Sequence, residues 1–150
     1  MVSRRTSGKI KPDAYFLDAN VLMYAAGGPH SLREPCRAAL QAAIDQRVSL
    51  VTDSEVLQEI LHRYFTLQKP EVAREVYGAA TQLCDEVLSV SERTTARARE
   101  LLLQYGSITA RDAIHIAAME EGGLRRLLST DSDFDTVNEV QRVDPADFLS

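Results

Sequence analysis

The sequence predicts an α/β protein, a three-layer α/β/α sandwich with a mainly parallel central sheet. Three observations lead to this class. Short apolar runs alternate with longer segments of helical periodicity along the whole chain. Gly, Pro and Ser/Thr residues punctuate the boundaries between them. Acids stand just past the ends of apolar runs, where packing alone does not ask for a charge. Alternation of this kind argues for βαβ units and a parallel sheet with right-handed crossovers. At 150 residues the chain suits one domain with a substantial core. Residues 1–13 read as a basic flexible extension and residues 14–150 as the folded domain.

Residues 14–17, Ala-Tyr-Phe-Leu, form a short buried strand that ends at Asp18. Val21 to Ala26 read as a short helix stopped by Gly27, Gly28 and Pro29. Ser31 can start the next helix, which carries the alanine-rich run through Ile44. Val48 to Val51 make a second strand. Thr52 opens a strong helix in which Val56, Leu57, Ile60, Leu61 and Tyr64 repeat at helical spacing. Pro70 starts another helix toward Leu83, and Val87 to Val90 give a third strand. Ser91 can cap a helix that ends at Gly106. Thr109 opens a further helix, closed by Gly122 and Gly123. Leu124 to Leu128 form a fourth strand, with Asp131 just beyond it, and Val140 to Val143 a fifth.

Composition excludes several classes. The 45% hydrophobic content is ordinary for a soluble globular protein. No apolar run approaches the roughly 20 residues that cross a bilayer, and the N-terminus lacks the apolar stretch of a secretory signal. Cys36 and Cys84 have no metal-ligand spacing and read as small buried hydrophobes in a reducing, cytoplasmic setting. A net charge of -5 argues against coating nucleic acid by bulk charge. It leaves room for local grip through a metal or basic patches. Arg4, Arg5, Lys9 and Lys11 make the extension basic.

Four carboxylates are the candidate chemistry: Asp18, Glu59, Asp112 and Asp131. Asp18 and Asp131 follow strands, where the ligand crevices of open α/β sheets lie. Glu59 and Asp112 stand in the N-terminal halves of helices. Acids gathered at one rim repel and raise one another's pKa, and a hard divalent cation with oxygen preference relieves that repulsion. The structural alternative for each is capping. Thr52-Asp53-Ser54-Glu55 fits a capping box, which accounts for Glu55 but not for Glu59 one turn later. Thr109-Ala110-Arg111-Asp112 fits another, so Asp112 has both readings. Asp133 and Asp135 crowd beside Asp131 as loop acids. His115, three residues after Asp112, reads as a residue packed at a helix boundary, since one histidine is not a metal signature.

As a set these motifs resemble the PIN-domain nucleases, and their order and spacing resemble the compact VapC-type toxins. The resemblance rests on Asp18-Ala-Asn20-Val-Leu after a short strand, Glu59 in Glu55-Val-Leu-Gln-Glu59-Ile-Leu, Asp112 in Ala110-Arg-Asp-Ala-Ile-His115-Ile-Ala-Ala, and Ser129-Thr-Asp131-Ser-Asp-Phe134. It covers about residues 14–149. It implies the three-layer fold, metal-dependent endoribonuclease activity, a cognate VapB-like antitoxin and a homodimer. It also makes Asn20 a residue that positions Asp18 or the metal. In this reading Asp18, Asp112 and Asp131 hold Mg²⁺ or Mn²⁺ and Glu59 orients a water. Arg111, Arg125 and Arg126 are candidate contacts to RNA phosphates. Two alternatives stand beside it. One is a PIN-like RNA-binding or scaffold domain without turnover. The other is a haloacid-dehalogenase-type phosphatase, which would need an Asp where this chain has Asn20.

Overall fold

A parallel strand covered by helices on both sides needs apolar residues on both faces, and the two innermost strands have them. In the computed structural model, which describes residues 10–149, β1 (Tyr15–Leu17) lies beside β4 (Arg126–Leu128). Phe16, Leu17, Leu127 and Leu128 are completely buried. With β2 (Leu50–Asp53), β3 (Glu86–Leu88) and β5 (Gln141–Val143) they form a five-stranded sheet of order β3-β2-β1-β4-β5, parallel throughout. Six helices flank it: α1 (Ala19–Ala26), α2 (Arg33–Asp45), α3 (Ser54–Thr66), α4 (Pro70–Leu83), α5 (Glu92–Gln104) and α6 (Ala110–Glu121). Helices pack in neighbouring pairs, α1 on α2, α3 on α4 and α5 on α6, and α1 also meets α3 and α4. The expected three-layer α/β/α sandwich is the observed one.

Strand order decides where a site can form. The chain steps outward from β1 to β2 and β3, then crosses to the other side of β1 for β4 and β5. Connections leaving β1 and β4 therefore diverge, and a crevice opens beyond their carboxyl ends. Leu17 sits opposite Leu128 in the register. The Asp18 N–H continues the ladder by donating to the Leu128 carbonyl at 3.1 Å. Asp18 and Ser129 thus leave the sheet side by side.

The elements differ from expectation at their edges, for local reasons. Thr52 does not open α3. It lies in β2, completely buried, with its hydroxyl donating to the Leu17 carbonyl at 2.9 Å. Asp53 is the cap instead, accepting from the Val56 N–H at 2.8 Å, so Glu55 is not part of a capping box. Leu124 belongs to a turn rather than to β4. Gly123 adopts φ +72° there, and the Leu124 N–H closes α6 on the Met119 carbonyl at 2.8 Å. The Ser91 and Thr109 caps form as expected, the latter as a full capping box with Asp112. Of the basic extension, residues 1–9 lie outside the described residues. Ile10 packs against the core, and the Asp13 carbonyl accepts from Arg126. Cys36 and Cys84 are buried and form no disulfide. No helix among the described residues is long and apolar enough to cross a membrane.

Candidate functional site

Asp18 is the pivot of the crevice. It is 5% exposed and caps α1 by accepting from the Ala19 N–H at 2.8 Å. Its second oxygen accepts from the Ser129 hydroxyl at 2.7 Å and from the Asn20 side-chain amide at 3.1 Å. The Asn20 amide also reaches Ser129 Oγ at 3.2 Å, and its carbonyl oxygen accepts from the Thr130 N–H at 3.1 Å. Ser129 in turn accepts from the Asp131 N–H at 3.0 Å. Asn20 and Ser129 therefore tie the loop after β1 to the loop after β4. Burial pushes the Asp18 carboxyl up to about 6; His115 and the Ser129 bond pull it down, while Glu59 adds to the rise.

Behind Asp18 stands a chain of charges. Asp53 and His115 are 0% and 1% exposed. His115 Nδ1 lies 2.7 Å from Asp53 Oδ2, and Nε2 lies 2.8 Å from Glu59 Oε1 and 4.0 Å from Asp18 Oδ1. Burial disfavours the imidazolium, yet the charge and hydrogen bond of Asp53, the bond to Glu59 and the charge of Asp18 prevail. They hold His115 well above the ordinary histidine range. Among the described residues, ligand atoms of Asp18, Glu59 and His115 form one trio lying within 4.8 Å of one another.

Asp112 occupies the adjoining edge at 9% exposure. Its Oδ2 accepts from the Thr109 N–H at 3.0 Å. Its carboxyl is raised by burial, lowered by the Thr109 bonds and raised again by the nearby charge of Asp131. Asp131 accepts from the Asp133 N–H at 2.9 Å. Asp112 therefore caps α6 while its carboxyl lies within electrostatic range of Asp131 and His115.

The structure bonds Asn20 to Asp18, sets Glu59 on His115, which lies 4.0 Å from Asp18, and brings Asp112 into the range of Asp131 and His115. It treats the three arginines differently. Arg111 sits at the rim, with Nε 3.6 Å from Glu55 and 3.7 Å from Glu59. Arg125 and Arg126 stand where β4 begins, at the edge of the sheet opposite Asp18 and Asp131. Arg126 lies 4.2 Å over the Tyr15 ring and donates to the Asp13 carbonyl at 2.6 Å, which joins the segment before β1 to the start of β4. Asp53, His115 and Ser129 were not read as site residues from the sequence. His115 is not packed at a helix boundary but faces the acids from the middle of α6, and its i, i+3 spacing from Asp112 was the available signal.

The chain matches the family model for the PIN domain over residues 15–140, most of its length. This chain belongs to the PIN-domain family. Its PIN domain is 37% identical over 127 residues to ribonuclease VapC13 of Mycobacterium tuberculosis, covering 85% of this chain and 97% of that protein. Ribonuclease VapC23 of the same species is 32% identical over 116 residues, covering 77% of this chain and 91% of its own. The fold of the PIN domain is similar to the sarcin-ricin loop cleaving toxin VapC20 of M. tuberculosis, with a TM-score of 0.67 at 17% identity over 83% of this chain and 95% of that one. It is equally similar to VapBC2 of Rickettsia felis bound to a promoter DNA fragment, with a TM-score of 0.68 at 16% identity over 87% and 98%.

Proposed function

We propose that this PIN domain is a metal-dependent endoribonuclease, the toxin of a toxin–antitoxin pair, acting in the cytoplasm. The observation that carries the reading is the buried Asp18 carboxylate, clamped by Ser129 and Asn20 at the β1/β4 crevice and facing Glu59. The names of its relatives as VapC ribonucleases support the same class of reaction.

The donor set fits a divalent cation. A buried carboxylate whose pKa rises to about 6 is a group for which a nearby positive charge relieves strain. Asp18, Asp112 and Asp131 would hold the ion, with Mg²⁺ or Mn²⁺ the natural choices for an oxygen-rich set. Such an ion supplies a nucleophilic water at neutral pH and offsets charge that develops on the phosphoryl oxygens. The residues do the rest. Asn20 and Ser129 fix the Asp18 oxygens, so the carboxylate meets its ligand without reorganising. Glu59, 14% exposed, is close enough to the crevice to orient the attacking water and accept its proton. The water oxygen would bond to phosphorus as its proton passes to Glu59, and the sugar oxygen would leave as an alcohol by taking a proton from solvent. RNA reaches a recessed rim as a single strand or a splayed loop, and Arg111 is the arginine placed to meet its phosphates.

A groove supports the partner. It runs between α1 and α3, encloses about 480 Å³, and is lined by Met23, Tyr24, Tyr64 and Leu67 with Arg63 and Lys69 at its border. Asn20, which bonds Asp18, also lines it. An antitoxin segment laid in this groove could extend a basic side chain to Asp18 and replace the cation's charge.

The test is cleavage of RNA by purified protein freed of its partner, with Mg²⁺ or Mn²⁺ added and the product ends sequenced. Asp18→Asn is the control. Equal cleavage by both proteins would refute the assignment.

A further inference from the structure

We propose that His115 Nε2 is itself a metal ligand, so that this site holds its cation with one nitrogen among carboxylate oxygens and favours Mn²⁺ over Mg²⁺. The inference rests on the metal-dependent reading above and deepens it.

The geometry around the imidazole is that of a ligand with its support behind it. Metal-bound histidines donate their other ring N–H to a carboxylate or carbonyl, which fixes the tautomer and turns the free lone pair toward the ion. Asp53 is that carboxylate, 2.7 Å from Nδ1. Its remaining oxygen is committed to the Val56 N–H at 2.8 Å, so the start of α3 holds it in place. The ring is further held by Phe16, at 5.4 Å between centroids and 45° between planes. Nε2 therefore faces Glu59 and Asp18 and no other described acid at these distances.

A histidine that served only as an internal counter-charge would need carboxylates near it. It would not need both remaining acids on one side and a dedicated, completely buried carboxylate on the other. Asp18, Glu59 and His115 instead offer three ligand atoms within 4.8 Å of one another. To bind an ion, Nε2 would give up to solvent the proton it shares with Glu59 at 2.8 Å, which would free the Glu59 oxygen as well. Mg²⁺ prefers oxygen and parts with its waters reluctantly, whereas imidazole suits transition-metal ions. One nitrogen donor thus tilts the site toward Mn²⁺.

The experiment uses Mn²⁺ as probe on the full chain. Mn²⁺ affinity is measured by calorimetry, and directly bound nitrogen by electron spin echo modulation of the Mn²⁺ signal. The chain has three histidines, His30, His62 and His115. A His30→Gln/His62→Gln variant therefore leaves His115 as the sole histidine. In that variant a ¹⁴N modulation is expected, and it should change to the ¹⁵N pattern on ¹⁵N-histidine labelling. His115→Gln should abolish it. Asp53→Asn, which keeps a good helix cap, should weaken Mn²⁺ binding about 10–100-fold and Mg²⁺ binding much less. If Mn²⁺ binds with no histidine nitrogen in its signal, the inference is overturned while the metal site stands. If the parent protein binds no Mn²⁺, the underlying reading fails instead. Because the labelling needs no change at His115, a misfolded glutamine variant does not spoil the test.

Discussion

Replacing Asp18 with asparagine should stabilise the metal-free protein while removing its cleavage activity. The Asp18 carboxyl is pushed from 3.8 to about 6, with burial the leading cause. A group whose folded pKa is raised takes up protons more readily when folded. Its contribution is favourable at low pH and is lost as pH rises through the folded value. Roughly 2 units at 1.36 kcal/mol each make the ionised carboxylate a burden of about 3 kcal/mol above pH 7. Asparagine lifts that burden, but its amide faces the Asn20 amide that now donates at 3.1 Å. Losing that bond costs about 1 kcal/mol. The Asn20 amide, released from residue 18, still has Ser129 Oγ as an acceptor at 3.2 Å. The net gain is about 2 kcal/mol at pH 8, or roughly 4–8 °C in Tm for a domain of this size. Thermal and urea unfolding with EDTA, from pH 4 to pH 8, should show the variant ahead at pH 8. The advantage should shrink through pH 6 and vanish near pH 4. A variant less stable at pH 8, or a difference independent of pH, would refute the linkage between burial and charge at Asp18.

Other perturbations separate roles. Glu59→Gln should cut cleavage by about 100-fold or more with the fold intact, since a glutamine carbonyl can still accept from His115. Glu55→Gln loses only a partly exposed pair with Arg111 at 3.6 Å, which is worth less than about 1 kcal/mol, and activity should change little; a larger loss in Glu55→Gln than in Glu59→Gln would reverse the assignment. Ser129→Ala leaves the Asp131 N–H without its acceptor, so about 1–3 kcal/mol of stability should go, together with divalent-cation affinity measured by calorimetry. Arg126→Ala should lower Tm through loss of its Tyr15 and Asp13 contacts and leave kcat/KM unchanged. Arg111→Ala should instead raise KM and flatten its salt dependence, and identical kinetics in the two arginine variants would remove Arg111 from the RNA path.

The parts of this molecule that follow from local pattern were legible in the sequence. Alternating strands and helices gave the layers, because hydrophobic periodicity is a local property. Asp18 and Asp131 were legible as acids just past strand ends, and the structure ties both to Ser129 beside the crevice. Asp112 carried two readings; the structure shows the cap, bonded to Thr109, and sets the same carboxyl within electrostatic range of Asp131. The position of Arg126 was not legible, because one residue decides the edge: Arg126 starts β4 and Asp131 follows it. Three residues of strand separate the two rims of the sheet there. Thr52 and Asp53 were misjudged for a related reason. A Thr-Asp-Ser-Glu stretch satisfies a capping pattern locally, but β2 pairs with β3 through Asp53, and a tertiary ladder overrides the local signal.

His115 shows why an argument from charge alone stops short. Clustered acids need a cation, and beside the rim arginine Arg111 the sequence offered only a histidine with no ligand spacing. The fold supplies one by stacking β2 and α3 against α6. Asp53 and Glu59 then converge on the same ring from two sides, with a separation in sequence of 62 residues in one case and 56 in the other. The imidazolium offsets part of the repulsion around Asp18, which is why its charge pulls that carboxyl down even as burial pushes it up. A site with its own internal cation can fold before metal arrives, unlike small metal domains whose ligands cannot gather without the ion. Charge compensation in this crevice is therefore a property of the tertiary contact between α3 and α6, and a reading of carboxylates one at a time along the chain had no means to see it.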